Sequence, residues 1–202
     1  EMATTFSMLR ANDLMWSFFI NNYLLGKDPF PFDLLYWNSD STRMPVRMHS
    51  FYLRSFYQKN LLKDAGGISL LGTPIDMRQV KVPAYFLSGI EDHISPWTSN
   101  YMGSLLFSGP VKFVLAGSGH IAGPMNPPSA NKYFYWTNPK HPTDPDEWLK
   151  EAKQTDGSWW PDWGKWLAKN SGEKVPARVP GTGKLPVIED APGSYVKMRL
   201  IK

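Results

Sequence analysis

The chain has 202 residues, of which 42% are hydrophobic and 20% charged, and this composition excludes disordered and collagen-like proteins. It contains no cysteine, which excludes disulfides, thiolate metal sites and a cysteine nucleophile within these residues. The formal net charge is +4 without a run of Lys or Arg, so we expect no nucleic-acid partner, while a weak positive field suits an anionic small substrate.

No apolar run approaches the roughly 18 residues that span a bilayer. The first residues also lack the basic start and apolar stretch of a signal peptide. These features favour a soluble protein of a reducing compartment. Because Glu1 is not an initiator residue, we also expect the sequence to begin inside a longer chain.

The first third of the sequence predicts helices joined by a loop. Apolar residues at helical spacing over 8–25 indicate an amphipathic helix that Gly26 ends. The segment 32–42 is rich in Asn, Asp and Ser and is typical of an ordered loop. A second helix is predicted over 47–63, closed by the pair Gly66–Gly67.

The rest of the sequence predicts an α/β fold. Short apolar runs at 80–88 and 111–115, bounded by Gly and Pro, indicate buried strands. A helix is predicted between them, over 96–107, beginning at a proline. Strand, helix and strand at this spacing form a βαβ unit, so we expect a parallel sheet with flanking helices. Two short helices packed by indole faces are predicted in 144–170, followed by an extended arm over 171–194.

Polar side chains follow the two predicted strands at the points where those strands end. Asp92 comes after the first strand, and His120 comes 28 residues later, after the second. In open α/β sheets the chemistry lies beyond the carboxyl ends of the strands, and α/β-hydrolases have this order of acid and then base. The carboxylate fixes the tautomer of the imidazole, which takes a proton from a nucleophile.

Other interpretations of these residues stay open at the level of the sequence. Asp92 is also a strong N-cap residue for the helix that follows it, and a histidine in a glycine-rich loop is often structural. A metal site formed by Asp92, His93 and His120 lacks a fourth ligand, so we predict no metal. We interpret His49 and His141 as ordinary polar residues.

No nucleophile accompanies the pair. The sequence has no G-x-S-x-G elbow, and neither Ser88 nor Ser118 occupies the position of one. Since there is no cysteine either, these residues alone cannot complete a catalytic triad.

Distinctive motifs extend over nearly the whole chain. They are residues 9–14 (LRANDL), 32–42 (FDLLYWNSDST), 91–97 (EDHISPW), 117–123 (GSGHIAG), 126–128 (NPP), 157–163 (GSWWPDW) and 191–197 (APGSYVK). Together they resemble the polyhydroxyalkanoate (poly-3-hydroxybutyrate) synthases, in particular the C-terminal part of the class I enzymes. A generic hydrolase does not carry this combination.

The resemblance implies an α/β-hydrolase catalytic domain with an inserted cap. It implies polymerisation of (R)-3-hydroxyacyl-CoA thioesters into polyester, with release of coenzyme A, by a Cys-His-Asp triad. Asp92 and His120 match the family's aspartate and histidine, and the cysteine, in a Gly-x-Cys-x-Gly-Gly elbow, is expected upstream of Glu1. His120 then deprotonates the thiol, and either Asp92 or His120 held by Asp92 activates the 3-hydroxyl.

The resemblance also implies how the chain is divided. Residues 1–68 are expected to be the end of the cap, residues 69–145 the last strands and helices of the hydrolase core, and residues 146–202 the Trp-rich helices and C-terminal arm. Three residues of the first segment either shape the covered entrance of the site or tie the cap to the core: Tyr36, Trp37 and Asp40.

No metal or organic cofactor is implied, because the thioester already carries the activation and coenzyme A is the leaving group. The implied partners are 3-hydroxyacyl-CoA, the growing polyester chain, the upstream part of the same enzyme and a second copy in a homodimer. The implied location is the cytoplasm, at the surface of polyester granules.

Two alternative functions stay open. One is a non-catalytic fragment that mediates dimerisation or granule binding through its aromatic surface. The other is a different α/β-hydrolase, a thioesterase or esterase. An upstream cysteine elbow favours the synthase, an upstream G-x-S-x-G favours the hydrolase, and a true start at Glu1 favours the fragment.

Overall fold

The computed structural model describes Thr5, Met8, residues 11–29 and residues 43–198. The loop predicted over 32–42, with Tyr36, Trp37 and Asp40, lies outside the described residues, so the roles expected for these side chains stay predictions. Across the described residues, no helix combines the length and the apolar character needed to cross a membrane.

The N-terminal part is helical, as predicted, but it is wound more loosely than an ordinary α-helix. Asn12–Trp16 and Phe19–Leu24 form wide turns with bonds between residues five apart. The second predicted helix consists of α1 (Val46–Tyr52), a further wide-turn segment (Leu53–Gln58) and a single tight turn (Leu61–Lys63).

The expectation that Gly66–Gly67 closes this second helix is wrong. Asn60 interrupts the chain earlier, because its backbone adopts a left-handed conformation with φ of 49°. Asparagine tolerates that conformation better than most residues that are not glycine. A short antiparallel hairpin of β1 (Ser69–Leu70) and β2 (Thr73–Pro74) follows.

The main sheet has four strands in the order β3-β4-β5-β6, namely β3 (Ala84–Gly89), β4 (Val111–Ala116), β5 (Phe134–Thr137) and β6 (Lys153–Asp156). The strands β3 and β4 are parallel and in register from Ala84 opposite Val111 to Gly89 opposite Ala116. The helix α2 (Trp97–Ser104) connects them, so the predicted βαβ unit is confirmed.

The expectation of a parallel sheet is wrong for the half of the sheet formed by β5 and β6. The strands β5 and β6 each run antiparallel to the preceding neighbour in the sheet. No α-helix lies between β4 and β5, so the chain reverses beside β4 without the crossover helix that a parallel return commonly uses. The result is an α/β fold with a mixed sheet.

Helices cover both faces of this sheet. Phe113 and Leu115 alternate along β4 and pack on one face against Tyr101 of α2 and against Trp148. Trp148 belongs to α3 (Pro145–Glu151). The rings meet edge to face, with centroids 4.9 Å apart for Tyr101 and Phe113 and 5.1 Å apart for Phe113 and Trp148. Such pairs add specificity to the hydrophobic burial that holds this layer.

The opposite face carries α4 (Trp160–Asn170). Tyr85 and Lys112 are paired across β3 and β4 and both contact Asp162 of this helix. The Lys112 Nζ donates to Asp162 at 2.6 Å, and the Tyr85 hydroxyl donates to the same carboxylate at 2.9 Å. Burial, together with the nearby Asp162 charge, raises the pKa of Tyr85 far above its ordinary value.

The two helices predicted in 144–170 are α3 and α4, and the strand β6 between them was not predicted. Beyond α4, residues 171–194 contain neither helix nor strand, which confirms the predicted extended arm.

Candidate active site

The two loops that carry the predicted acid and base leave the same edge of the sheet. Gly89 and Ala116 are register partners at the ends of β3 and β4. Their backbones stay paired beyond the strands, since the Ile90 amide donates to the Ala116 carbonyl at 2.9 Å and the Glu91 amide to the Ser118 carbonyl at 3.1 Å. The two loops therefore lie backbone against backbone as they leave the sheet.

Glycine is required where the two loops touch and where the His120 loop folds back on itself. A Cβ atom on Gly89 would lie 2.8 Å from the Ser118 carbonyl oxygen, and one on Gly123 would lie 2.9 Å from that of Gly117. Between these contacts Ser118 adopts a left-handed backbone with φ of 72°, which is strained for a residue with a side chain. This tight turn brings His120 back over the neighbouring loop.

Both oxygens of the Asp92 carboxylate have hydrogen-bond partners. Its Oδ1 accepts hydrogen bonds from the backbone amides of Ile94 and Ser95, both at 2.9 Å, and its side chain is only 8% exposed. Its Oδ2 lies 2.8 Å from His120 Nδ1. The alternative that Asp92 caps α2 is wrong, because Pro96 is the N-cap residue of that helix and Asp92 binds loop amides before it.

The contact with Asp92 favours one tautomer of the neutral His120 ring. An ionised carboxylate only accepts hydrogen bonds, so the proton of this 2.8 Å contact belongs to Nδ1 and the basic lone pair is left on Nε2. The His120 side chain is 44% exposed, and Nε2 has no hydrogen-bond partner among residues 11–29 and 43–198. A neutral imidazole held in this way can take a proton from a group that approaches Nε2.

A polar network that sequence analysis missed supports the Asp92 loop. The Asn100 Nδ2 on α2 donates to Ser88 Oγ at 3.0 Å, and Ser95 Oγ donates to Asn100 Oδ1 at 3.2 Å. Ser88 is 3% exposed and is the second-last residue of β3. The only signal in the sequence was the position of Ser88 at a strand end, and nothing marked Asn100.

The remaining histidines have other surroundings. The ring nitrogens of His93 are buried and have no partner within the described part of the chain, so His93 does not join the pair. His49 lies in the last turn of α1. Within the same described part, no three His, Asp or Glu side chains are grouped so that they could hold a metal ion.

His141, interpreted as an ordinary polar residue, makes structural contacts away from the acid–base pair. Its Nε2 lies 2.9 Å from the buried Ser104 Oγ, and its ring packs edge-on against Tyr101. Burial lowers the pKa of His141.

Comparison with known proteins identifies enzymes that are similar to this chain in sequence. The chain is 53% identical over 199 residues to the poly(3-hydroxyalkanoate) polymerase subunit PhaC of Rhizobium meliloti, an alignment that includes 98% of this chain and 32% of that protein. It is 47% identical to the corresponding subunit of Cupriavidus necator and 51% identical to the poly(3-hydroxyalkanoate) polymerase of Methylorubrum extorquens, again over 98% of its length. The chain is homologous to the poly(3-hydroxyalkanoate) polymerases.

This homology confirms the predicted resemblance to the polyhydroxyalkanoate synthases. It includes both loops of the site, because the alignments extend over nearly all of the chain. The chain spans about a third of the length of the poly(3-hydroxyalkanoate) polymerases that it matches. It matches no protein-family model.

Proposed function

We propose that this chain is the acid–base part of a polyester synthase that polymerises (R)-3-hydroxyacyl-CoA into polyhydroxyalkanoate and releases coenzyme A. The observation that carries the proposal is the 2.8 Å contact between Asp92 Oδ2 and His120 Nδ1 at the ends of neighbouring parallel strands. The identity with three poly(3-hydroxyalkanoate) polymerases supports the substrate class. The nucleophile is a cysteine supplied by residues outside these 202, which contain none.

In the first half-reaction, His120 Nε2 takes the proton of the cysteine thiol. The thiolate attacks the thioester carbonyl, the bond from the acyl carbon to the coenzyme A sulfur breaks, and the imidazolium returns its proton to the leaving thiolate. The Asp92 carboxylate stabilises the imidazolium that forms between these two transfers. The products are free coenzyme A and an acyl-enzyme.

In the second half-reaction, the 3-hydroxyl of another acyl unit attacks the acyl-enzyme carbonyl and forms the ester. The bond from the acyl carbon to the cysteine sulfur breaks, and the proton taken from the hydroxyl is returned to the cysteine thiolate. We assign the removal of the hydroxyl proton to His120 Nε2 rather than to Asp92. Both Asp92 oxygens already accept hydrogen bonds, and the side chain is 8% exposed, whereas the His120 side chain is 44% exposed. One base therefore serves both steps, and the reaction needs no metal or organic cofactor.

We assign the fold to the last part of an α/β-hydrolase core. The parallel pair of β3 and β4 with acid and base at its carboxyl end supports this assignment. Residues 1–68 then belong to a cap, residues 69–145 to the core, and residues 146–202 to the Trp-rich helices and the arm. In this arrangement Tyr36, Trp37 and Asp40 remain candidates for the entrance of the site.

The function is tested in a chimaera in which this chain replaces the matching third of the Rhizobium meliloti relative. Coenzyme A release from (R)-3-hydroxybutyryl-CoA is measured for the unmodified chimaera, for His120→Gln and for the control His49→Gln, which changes a histidine on α1. We expect His120→Gln to lose roughly 10²- to 10⁴-fold in rate, the usual contribution of a general base. Equal rates in the unmodified and His120→Gln proteins would remove the assignment, and release of free 3-hydroxybutyrate without polymer would favour a thioesterase.

A second role, in dimerisation or in binding to granules in the cytoplasm, is favoured by one observation. The helical segment 11–25 exposes large apolar side chains, including Trp16 at 54%, Tyr23 at 76% and Leu24 at 60%. An exposed apolar surface of this kind is typical of an interaction site. Sedimentation of the chimaera with and without the substitutions Trp16→Ser and Tyr23→Ser tests for a homodimer, and unchanged association would exclude this surface.

A further inference from the structure

We propose that Trp159 and Trp160 are positioning residues for His120 and hold the backbone of the turn that follows it. This inference rests on the proposed function only in giving His120 a catalytic role. Among the described residues, no hydrogen bond or ring contact joins either tryptophan to the imidazole. Their effect is exerted through the backbone of the turn that follows His120.

The two indoles bind consecutive carbonyls of that turn. The Trp159 Nε1 donates to the Gly123 carbonyl at 3.2 Å, and the Trp160 Nε1 donates to the Pro124 carbonyl at 2.9 Å. Gly123 is buried, so its carbonyl needs a donor from the protein. An indole has a single N–H on a large rigid ring. Each of these bonds therefore fixes both the position of the carbonyl oxygen and the direction in which the carbonyl points.

The hydrogen bonds continue from the turn to the base. The Gly123 amide donates to the Gly119 carbonyl at 3.0 Å, and Gly119 directly precedes His120. The backbone of Gly123 is also pressed against Gly117, since a Cβ atom here would lie 2.9 Å from the Gly117 oxygen. A shift of the Gly123 carbonyl is therefore passed on to both sides of His120.

The tryptophans are themselves anchored to the sheet. Their helix, α4, is tied to β3 and β4 through Asp162, which accepts from Lys112 and Tyr85. Just before the helix, the Ser158 hydroxyl donates to the carbonyl of Asn126, a residue that is 3% exposed, and Ser158 Oγ accepts from the Trp160 amide at 3.1 Å. The same strands that lead into the loops of Asp92 and His120 thus hold the helix that supports the His120 turn.

The experiment removes one N–H at a time. In the 202-residue chain, Trp159 is replaced by 3-benzothienylalanine, which keeps the shape of the ring and puts sulfur in place of the N–H, and separately by Phe. NMR follows the exchange of the Gly123 amide proton and the signal of the His120 Nδ1 proton. The control is Trp163→Phe, because Trp163 packs 5.9 Å from Trp159 and its indole N–H has no hydrogen-bond partner in residues 43–198.

We expect the analogue to exchange the Gly123 amide about fivefold faster, as the loss of one ordinary hydrogen bond predicts, and to weaken the Nδ1 signal. In the chimaera we expect kcat to fall by a similar factor while KM stays within about twofold. The control should change neither the exchange nor the signal. If Trp159→Phe does not fold, the isosteric analogue decides.

Unchanged exchange and an unchanged Nδ1 signal in the analogue would overturn the inference, even if the rate fell. If both NMR signals change but the unmodified chimaera releases no coenzyme A, the proposed function fails and the positioning of His120 stands. The same substitutions at Trp160 give an independent repeat. Because Pro124 has no amide proton, the exchange is followed at the next residue, Met125, whose amide donates to the Ile121 carbonyl at 2.9 Å.

Discussion

The backbones of Gly89 and Ser118 approach so closely that a Cβ atom on Gly89 would lie 2.8 Å from the Ser118 carbonyl oxygen and 3.1 Å from that of Gly119. Both opposing atoms belong to the backbone, which cannot rotate away as the end of a flexible side chain can. The contact joins the loop of Asp92 to the loop of His120, so the distance between the acid and the base depends on it.

We therefore predict that Gly89→Ala costs about 1–3 kcal/mol of unfolding free energy, the usual range for an overpacked site. The two loops must separate to admit the methyl group, so coenzyme A release by the chimaera should fall as well. Urea unfolding of the chain measures the first effect. The matched control is Gly119→Ala, whose Cβ would meet its nearest atom, the Glu91 oxygen, at 3.6 Å, an ordinary contact. Equal stability of the two variants would contradict the role of the contact.

Asp92→Asn is predicted to leave the fold nearly intact and to reverse the tautomer of His120. The amide oxygen of Asn still accepts from the Ile94 and Ser95 amides, and its NH₂ then points at Nδ1 in place of an acceptor. The ring proton moves to Nε2, which can no longer act as a base, and such a change costs roughly 10⁴-fold in kcat in a triad enzyme. ¹⁵N shifts of the His120 ring report the tautomer directly. A variant with its proton still on Nδ1 and a normal rate would refute the assignment.

The 202-residue chain alone is predicted to release no coenzyme A from (R)-3-hydroxybutyryl-CoA. It holds the base and the acid but no thiol, and neither Ser88 nor Ser118 stands where a nucleophile is needed. Ser88 is 3% exposed and bound to Asn100, which also removes it from reach of a substrate. The assay uses a thiol reagent for free coenzyme A, with the chimaera as the positive control. Turnover by the chain alone would show that a nucleophile other than cysteine operates.

His141 is predicted to make the fold sensitive to acid. Burial lowers its pKa below the ordinary value of 6.5, so folding favours the neutral ring. The stability that depends on the neutral ring is fully present above pH 6.5 and is lost as the pH falls through the lowered pKa of the folded state. Since Ser104 Oγ donates to the Tyr101 carbonyl at 2.6 Å, the His141 Nε2–H donates to Ser104.

Melting temperatures between pH 7.5 and 5 test this prediction. The unmodified chain should lose more stability over this range than His141→Gln, which keeps a donor and cannot be protonated. The control is His49→Gln, which should follow the unmodified chain. Parallel curves for the unmodified and His141→Gln chains would contradict the prediction.

The contact between α4 and the sheet is predicted to depend on Asp162. Asp162→Asn removes the charge that two donors share, and hydrogen bonds to charged groups are worth about 1.5–3 kcal/mol when they are well buried. The Lys112 side chain is 34% exposed, so we expect the low end of that range in urea unfolding. The control Glu151→Gln breaks the exposed pair with Lys140 and should cost less than about 1 kcal/mol. An equal loss of unfolding free energy in the two variants would contradict a larger contribution from the Asp162 hydrogen bonds than from the exposed ion pair.

The sequence alone determined the parts of the fold that have local signals. The apolar runs of β3 and β4, with the helix between them, required a βαβ unit, and that unit puts Asp92 and His120 at one edge of the sheet. The strands β5 and β6 escaped detection for different reasons. Residues 134–137 are an aromatic run without alternation, and β6 has mostly exposed polar side chains, because an edge strand is held by backbone bonds rather than by burial.

Only the tertiary structure decided how the site is held. The 2.8 Å contact of Asp92 with His120, the network through Asn100 and the bonds from Trp159 and Trp160 join residues far apart in the sequence. A hydrogen bond of this kind depends on distance and direction in three dimensions, and a side chain carries no sequence signal for the acceptor it will meet. The residue types can therefore be recognised in the sequence, but their geometry follows from the packing of α2 and α4 on the two faces of the sheet.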